Sequence, residues 1–349
     1  MRLGLERIVM VRNRGQNKQF EGRIVLITIK LTLYDFFMEN KILGLHHITA
    51  IATSAKRNYD FYTNLLGLRF VKKTVNFDDP KTYHLYYGNE QGAPGTILTF
   101  FPWEGTRAGR IGTGMATEIG YSVPEGSLEF WEERFDENKV KYKKIDERFG
   151  ERFIWFEDPD GLQLNLIIPN DPDNRKPWAT GEVNERVATK GFHGITLTLQ
   201  NIKGTADILT EIFGYKFLKQ EGERFRFVTD AVEGANVVDL VEAPNTQRGF
   251  VAGGTNHHVA FRVQDDDVLM TFREKVEGHG LDITGKIDRN YFFSLYFREP
   301  GGVIFELASN NPGFTVDEPL GELGTHLKLP SQYEYMRDQL EKTLIPLNN

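Results

Sequence analysis

Two adjacent-histidine pairs and one carboxylate set the chemistry open to this chain. Gly44-Leu-His-His-Ile-Thr49 lies near the start, Asn256-His-His-Val-Ala260 far downstream, and Gly301-Gly-Val-Ile-Phe-Glu-Leu307 beyond that. His47, His258 and Glu306 stand in repeated frames of these segments. Two neutral imidazoles and one carboxylate, with coordination positions left open, are the ligand set of non-haem Fe(II) oxygenases. Zinc also accepts His, His and Glu, so the triad alone implies a metal without choosing it. A Glu inside Val-Ile-Phe-Glu-Leu needs a partner, because an unpaired buried carboxylate is costly. Arg289 and Arg298 are the ion-pair alternatives to a metal at that position.

The elements that must position these residues recur along the chain. Four segments open with a short alternating strand: Leu45–Thr53, Thr117–Val123, Phe192–Gln200 and His257–Gln264. A helical stretch follows, with Leu, Phe and Tyr at three- and four-residue spacing, as in Tyr59-Asp-Phe-Tyr-Thr-Asn-Leu-Leu66. Gly67, Gly214 and Gly280 give stop signals to three of these helices. Further strand-like runs close each unit, the last after a glycine turn such as Pro94-Gly95 or Pro300-Gly-Gly302. The fold class is therefore α+β, four β-α-β-β-β modules, and single curved sheets of this kind must pair to enclose a cavity.

Aligning the modules sorts the candidate ligands. The slot of His47 holds Glu118, Gly194 and His258 in the other three modules, and the closing-strand slot holds Thr99, Asn165, Asp239 and Glu306. The alignment leaves Asp239 uncertain by one residue. Only the first and fourth modules together supply two His and one Glu, so these two are expected to pack against each other. His193, in Gly191-Phe-His-Gly-Ile-Thr196, aligns with His46 rather than with His47. Alternation along a strand turns it away from the ligand face, and a hydrogen-bonded core or interface histidine is the expectation.

Composition narrows the class. The chain has 349 residues, 40% hydrophobic and 26% charged, with a net charge of −7. Nothing in that balance draws it to nucleic acid or an anionic membrane. It contains no cysteine, which excludes disulfides, thiolate nucleophiles and cysteine-ligated clusters and suits a reducing cytoplasm. Residues 1–40 differ from the rest, with Arg2, Arg7, Arg12, Arg14, Lys18, Arg23 and Lys30 against Glu6 and Glu21. They lack the apolar core of a signal peptide, and Ile24–Ile29 is too short to span a membrane. The expectation is an extension without a fold of its own, with Met38 as the native start and a basic targeting leader as the alternative.

Around the triad, Thr49 shares the strand face of His47, and Arg289, Tyr291 and Tyr296 lie just upstream of Glu306. An Arg beside a phenolate would stabilise it, and a Tyr hydroxyl could donate to a reacting oxygen. Arg107 and Arg110, in the Gly-rich segment 105–114, read as a lid or a mobile linker. Gln264-Asp-Asp-Asp267 reads as a helix cap.

At Leu45-His-His-Ile-Thr49, Val71-Lys-Lys-Thr-Val75, Tyr83-His-Leu-Tyr-Tyr-Gly88, Gly95-Thr-Ile-Leu-Thr-Phe100 and Asn256-His-His-Val-Ala-Phe261, the sequence resembles a known family. It is similar to the hydroquinone-type ring-cleaving dioxygenases of the vicinal-oxygen-chelate superfamily, the group of 2,6-dichlorohydroquinone dioxygenase. The resemblance runs from about Leu43 to Pro319. It implies a glyoxalase-like fold in two domains, 41–170 and 188–315, followed by a tail over 316–349. It implies Fe(II), with Mn(II) as the alternative, held by His47, His258 and Glu306, and O2 as co-substrate. It also implies supporting catalytic roles for His46, Thr49, His257, Arg289 and Tyr296; in the mechanism expected of such a site, a nearby base, with His257 as the candidate, removes the second phenolic proton. Strand parity opposes part of this, since His46 and His257 should point away from their neighbours unless the strands bulge. The implied partner is a small aromatic diol, hydroquinone or catechol, with self-association left open. Two rivals share the architecture. A glyoxalase-like isomerase or transferase needs a further carboxylate where Thr99 stands, and a non-catalytic aromatic- or toxin-binding protein needs no triad.

Overall fold

The computed structural model describes residues 41–347, so the expectations about residues 1–40 lie outside the described part. Apolar and polar side chains alternate along the strands, and this alternation makes one face of each sheet a core and the other a site. Module one comprises β1 (Leu45–Ala52), β2 (Arg69–Val75), β3 (Tyr83–Gly88) and β4 (Ile97–Pro102). Module two comprises β5 (Met115–Ser122), β6 (Asp146–Arg148), β7 (Glu151–Glu157) and β8 (Gln163–Ile167). Module three comprises β9 (Phe192–Leu199), β10 (Lys216–Glu221), β11 (Arg224–Val228) and β12 (Val237–Glu242). Module four comprises β13 (Thr255–Val263), β14 (Ile287–Asp288), β15 (Phe292–Arg298) and β16 (Ile304–Pro312). The helix of each module follows its first strand: α1 (Ala55–Asp60), α2 (Leu128–Glu137), α3 (Lys203–Asp207) and α4 (Asp266–Gly278). A last helix, α5 (Arg337–Thr343), closes the described chain.

The strands form two eight-stranded sheets, β14-β15-β16-β13-β1-β4-β3-β2 and β10-β11-β12-β9-β5-β8-β7-β6. Module one thus joins module four through antiparallel β1 and β13, as the ligand slots require, and module two joins module three through β5 and β9. Ile48, Ala50, Leu98, Phe100, Val259, Phe261, Phe305 and Leu307 point to the core. His47, Thr49, Thr99, His258 and Glu306 alternate with them and share the opposite face. Both α1 and α3 run on into a short π-helical turn, Phe61–Leu65 and Ile208–Ile212. Each ends at a glycine of positive φ, Gly67 at 68° and Gly214 at 76°, a conformation that other residues adopt only with strain. Asp265 caps α4 by accepting the Asp267 and Val268 N–H groups at 3.1 and 3.0 Å, so the acidic run is a cap.

The modules are latched by their closing turns. Tyr62 donates to buried Asp158 across modules one and two at 3.1 Å, and Thr205 donates to buried Glu299 across modules three and four. The segment after β16 returns to the first sheet. There Lys72, fully buried, reaches Asp317 at 2.6 Å and Glu318 at 2.5 Å, and Tyr291 also donates to Asp317 at 3.0 Å. Tyr291 is therefore spent on holding the C-terminal segment. No helix among the described residues is long and apolar enough to cross a membrane.

Candidate metal centre

Strand pairing brings His47, His258 and Glu306 together from β1, β13 and β16. Glu306 Oε2 lies 3.1 Å from His47 Nε2 and 3.0 Å from His258 Nε2, and all three side chains are buried. The two imidazole rings stand almost perpendicular, at 84°, with centroids 5.6 Å apart. Ser294 donates to the other carboxylate oxygen, Oε1. Oε2 has no hydrogen bond of acceptable geometry despite these two close nitrogens. An orphaned, fully buried carboxylate oxygen facing two ring nitrogens is what a cation would satisfy, and the three donor atoms lie within 4.8 Å of one another. Neither Arg289 nor Arg298 pairs with Glu306. Burial opposes the Glu306 charge, yet the neighbouring imidazoles hold its pKa well below the usual carboxylate range. Burial lowers that of His258.

Two bulges resolve the parity conflict. Leu45 and His47 oppose the consecutive residues Phe261 and Ala260, and Thr49 and Ala50 oppose His258 and Asn256. The extra residues are His46 on β1 and His257 on β13. A bulge re-aims the inserted side chain, and both rings turn onto their neighbours. His46 Nδ1 lies 2.9 Å from His47 Nδ1, and His257 Nδ1 lies 2.8 Å from His258 Nδ1. His46 continues through Nε2 to the Ser309 carbonyl at 3.1 Å. Burial keeps both outer histidines neutral: the pKa of His46 falls well below normal, and that of His257 drops to about 3.

Beside the triad lies a cavity of about 230 Å³. Phe77, Phe101 and Phe292 give it aromatic walls, and His257, Arg289 and Tyr296 supply polar groups. Arg289 Nε donates to the Tyr296 hydroxyl at 3.3 Å, and its terminal nitrogens face Asp78 at 3.5 Å. Burial and the Glu306 charge raise the Tyr296 pKa, so the hydroxyl keeps its proton. Thr49 does not line this cavity directly. It bonds Thr99 at 2.9 Å, Thr99 bonds His84 Nε2 at 2.8 Å, and His84 Nδ1 meets the Tyr86 hydroxyl at 2.9 Å.

His84 and Tyr86 also line the cavity, and sequence reasoning missed them. The signal was present. Tyr86 pairs with Thr99 as Tyr296 pairs with Glu306, and Tyr83-His-Leu-Tyr86 aligns with Phe293-Ser-Leu-Tyr296. His84 thus backs Thr99 from the place where Ser294 backs Glu306.

The second sheet carries the remaining slots. Asp239 faces Thr196 in the register in which Thr99 faces Thr49, which removes the one-residue uncertainty. His193 belongs here, 3.3 Å from Glu151 and away from the triad. Arg107 stacks on Phe250, 4.4 Å from the ring centre, and Arg110 donates to the Arg248 carbonyl at 3.0 Å. Segment 105–114 is thereby tied to the matching linker around Phe250, not to the triad.

The glyoxalase/bleomycin resistance protein/dioxygenase superfamily profile matches residues 44–166 and 191–307. The chain belongs to this superfamily. It is 47% identical over 309 residues to the Bacillus subtilis protein named ring-cleaving dioxygenase MhqO, covering 88% of this chain and 98% of that protein. It is 36% identical over 313 residues to a chlorohydroquinone/hydroquinone 1,2-dioxygenase of Sphingobium indicum, covering 88% of this chain and 97% of the relative. A crystal structure of a Bacillus subtilis protein described as a dioxygenase superposes with a TM-score of 0.85 at 45% identity, over 88% of this chain and 98% of that one. Glyoxalase I from Zea mays shares the fold alone, at 16% identity, with a TM-score of 0.58 over 82% of this chain and 97% of its own. These relatives support dioxygenase activity for this member of the superfamily.

Proposed function

We propose that this chain is an Fe(II)-dependent dioxygenase that opens the ring of hydroquinones with O2, Mn(II) being the alternative metal. His47, His258 and Glu306 would hold the ion, and His46, Thr49, His257, Arg289 and Tyr296 would support it or the substrate. The observation that carries this reading is the orphaned Glu306 Oε2 between two Nε2 atoms, beside a cavity lined by aromatic rings. When bound, Fe(II) would supply a Lewis acid that favours the ionised phenol and a redox route to O2.

The protein's own part follows from where its protons sit. With both ligand Nε2 atoms committed, His47 and His258 carry their protons on Nδ1. His47 Nδ1–H then donates to His46 Nδ1, and His46 Nε2–H donates to the Ser309 carbonyl. Such outer partners fix the orientation and basicity of metal-binding imidazoles. His258 Nδ1–H donates to His257 Nδ1 in the same way, which leaves the His257 proton on Nε2. His257 therefore enters as a hydrogen-bond donor to substrate, where the sequence suggested a base. Tyr296 offers a second donor, and the Arg289 guanidinium favours a phenolate over a phenol. Phe101, Phe292 and Phe77 would hold the ring and exclude water.

Cleavage beside a hydroxyl-bearing carbon puts one atom of O2 on each carbon of the broken bond. One becomes a carboxylate and the other an aldehyde, while the second hydroxyl of a para-diol stays on the chain. The test is oxygen uptake by protein loaded with Fe(II) under argon, with methylhydroquinone and catechol compared side by side. One O2 consumed per methylhydroquinone, faster than with catechol, is the expected outcome. Faster consumption of catechol would shift the substrate to ortho-diols, and no uptake with either despite bound metal would refute the dioxygenase assignment.

A further inference from the structure

A second cavity, of about 290 Å³, adjoins the triad on the other side of His257 and His258. It shares only those two histidines and Ile304 with the aromatic cavity. Its walls are partly apolar, with Trp103, Met115 and Val251, and none of its lining residues is acidic.

Its charge distinguishes it from the first cavity. Arg298 lines it, and among the described residues its guanidinium meets only the Gly302 carbonyl, through Nη1 at 2.6 Å. Arg248 stands at the rim: a Cβ placed on Gly302, which lines the cavity, would lie 3.2 Å from Arg248 Nη2. Among the described residues neither arginine forms an ion pair. In the aromatic cavity, by contrast, Arg289 faces Asp78. The arginine of the first cavity therefore has a carboxylate beside it, whereas the second cavity has positive charge with no carboxylate among the described residues to match it. His257 lines both, and with Nδ1 engaged by His258 its remaining nitrogen is Nε2.

We infer that the second cavity is a carboxylate-binding exit compartment, which takes the ring-opened hydroxy acid between Arg298, Arg248 and the His257 Nε2–H. The assignment to product rests on the proposed reaction. The substrate carries no carboxylate and the product carries one, so a cationic compartment behind the reacting centre discriminates between them. Arg298 supplies the principal contact, because planar guanidinium groups bind carboxylates through paired, charge-assisted hydrogen bonds. Ile304, common to both cavities, stands on the path between them.

The test is calorimetric titration of the full-length, Fe(II)-loaded protein under argon with 2,4-hexadienoate, an unreactive six-carbon unsaturated monocarboxylate. Arg298→Gln should raise its Kd by about tenfold, the scale of one lost charge-assisted contact, and Arg298→Lys should recover part of the loss. Arg289→Gln should leave the Kd within about twofold. His47→Ala, tested without metal, should retain the Arg298 dependence, because the carboxylate is held by the protein and not by the ion. Absence of binding, or binding that follows Arg289 or the metal and ignores Arg298, overturns the proposal. Arg298-dependent binding in a protein that consumes no O2 with any diol would refute the dioxygenase reading and, with it, the identity of the occupant, while leaving a carboxylate site.

Discussion

Replacing Glu306 by Gln separates a metal ligand from a structural ion-pair partner. In the native chain Oε2 is fully buried and 3.0–3.1 Å from two imidazole nitrogens. If a divalent ion joins the three, metal at a hundred times its Kd stabilises the folded state by about 2.7 kcal/mol. For a folded unit of this size that corresponds to a rise in Tm of roughly 5 °C. Gln keeps the shape but removes the only anion among the donors. Loss of an outer partner alone weakens metal binding about 10- to 100-fold, so loss of the ligand charge should exceed the upper figure. At the same metal concentration the stabilisation then falls below about 0.4 kcal/mol, less than 1 °C. The assay is a thermal melt of chelator-treated protein with and without Fe(II) under argon, repeated with Mn(II), for both proteins. Without metal, Glu306→Gln should melt within about 2 °C of the wild type, because the amide keeps the shape and Ser294 still satisfies one end of the side chain. An equal metal-induced shift in both proteins would refute Glu306 as a ligand. A collapse of the metal-free variant would instead show that the carboxylate holds the fold together as an ion pair.

Two further substitutions probe the surroundings. His46→Phe removes the acceptor for His47 Nδ1 and should weaken metal binding by about 10- to 100-fold with the fold retained, whereas His46→Gln, which can still accept, should weaken it less; equal affinity in His46→Phe and wild type, measured by competition with a chelator, would remove His46 from the supporting shell. Asp158 tests pH dependence: burial, opposed by N–H donors from Leu162 and Asp160, raises its pKa to about 7 from the ordinary 3.8. An acid whose folded pKa is raised binds its proton more tightly when folded, so stability falls as pH rises from about 4 to 7, by at most about 4 kcal/mol. Asp158→Asn removes that loss and should gain Tm on the wild type at pH 8 while showing little difference at pH 5; a difference independent of pH would refute the account.

Much of the site could be read from repetition alone. Aligned slots singled out His47, His258 and Glu306, rejected His193 and required modules one and four to meet, because strand alternation transmits a face assignment through any regular repeat. The alternation fails where a strand gains a residue. His46 and His257 are those residues, and parity placed them on the wrong side of their neighbours. A single sequence gives no direct sign of a bulge, since the inserted residue has no partner to betray the slip. His84 and Tyr86 were missed for another reason. Their role follows from cross-strand pairing with Thr99, and only comparison of two third strands, Tyr83-His-Leu-Tyr86 and Phe293-Ser-Leu-Tyr296, would have found them. The Lys72 clamp depends on a contact 245 residues away in sequence and has no local signature.

The second sheet shows by contrast why the proposed metal falls on one of two equivalent faces. Its slots hold Glu118, Gly194, Asn165 and Asp239, so it has carboxylates in quantity. Each is answered from within the protein: Arg148 meets Glu118 at 2.9 Å, Arg226 meets Asp239 at 2.8 Å, and Arg226 also reaches Glu151. Arg224 adds a contact to Glu118 at 3.3 Å. The guanidinium groups sit where a cation would otherwise be needed, and the network closes on itself. In the first sheet the same slots hold His47, His258, Thr99 and Glu306. Arg289 turns to Tyr296 and Asp78, and Arg298 turns to Gly302, so among the described residues Glu306 faces the Ser294 hydroxyl and two imidazoles but no guanidinium. A buried anion without a protein cation is unstable unless it is protonated or bound to an ion. Protonation is disfavoured, since the imidazoles hold Glu306 in its charged form. The same fold therefore carries one face neutralised by arginine and one whose carboxylate has no guanidinium partner, an arrangement that the proposed cation would complete, and the asymmetry rests on His47, His258 and the withdrawal of two arginines.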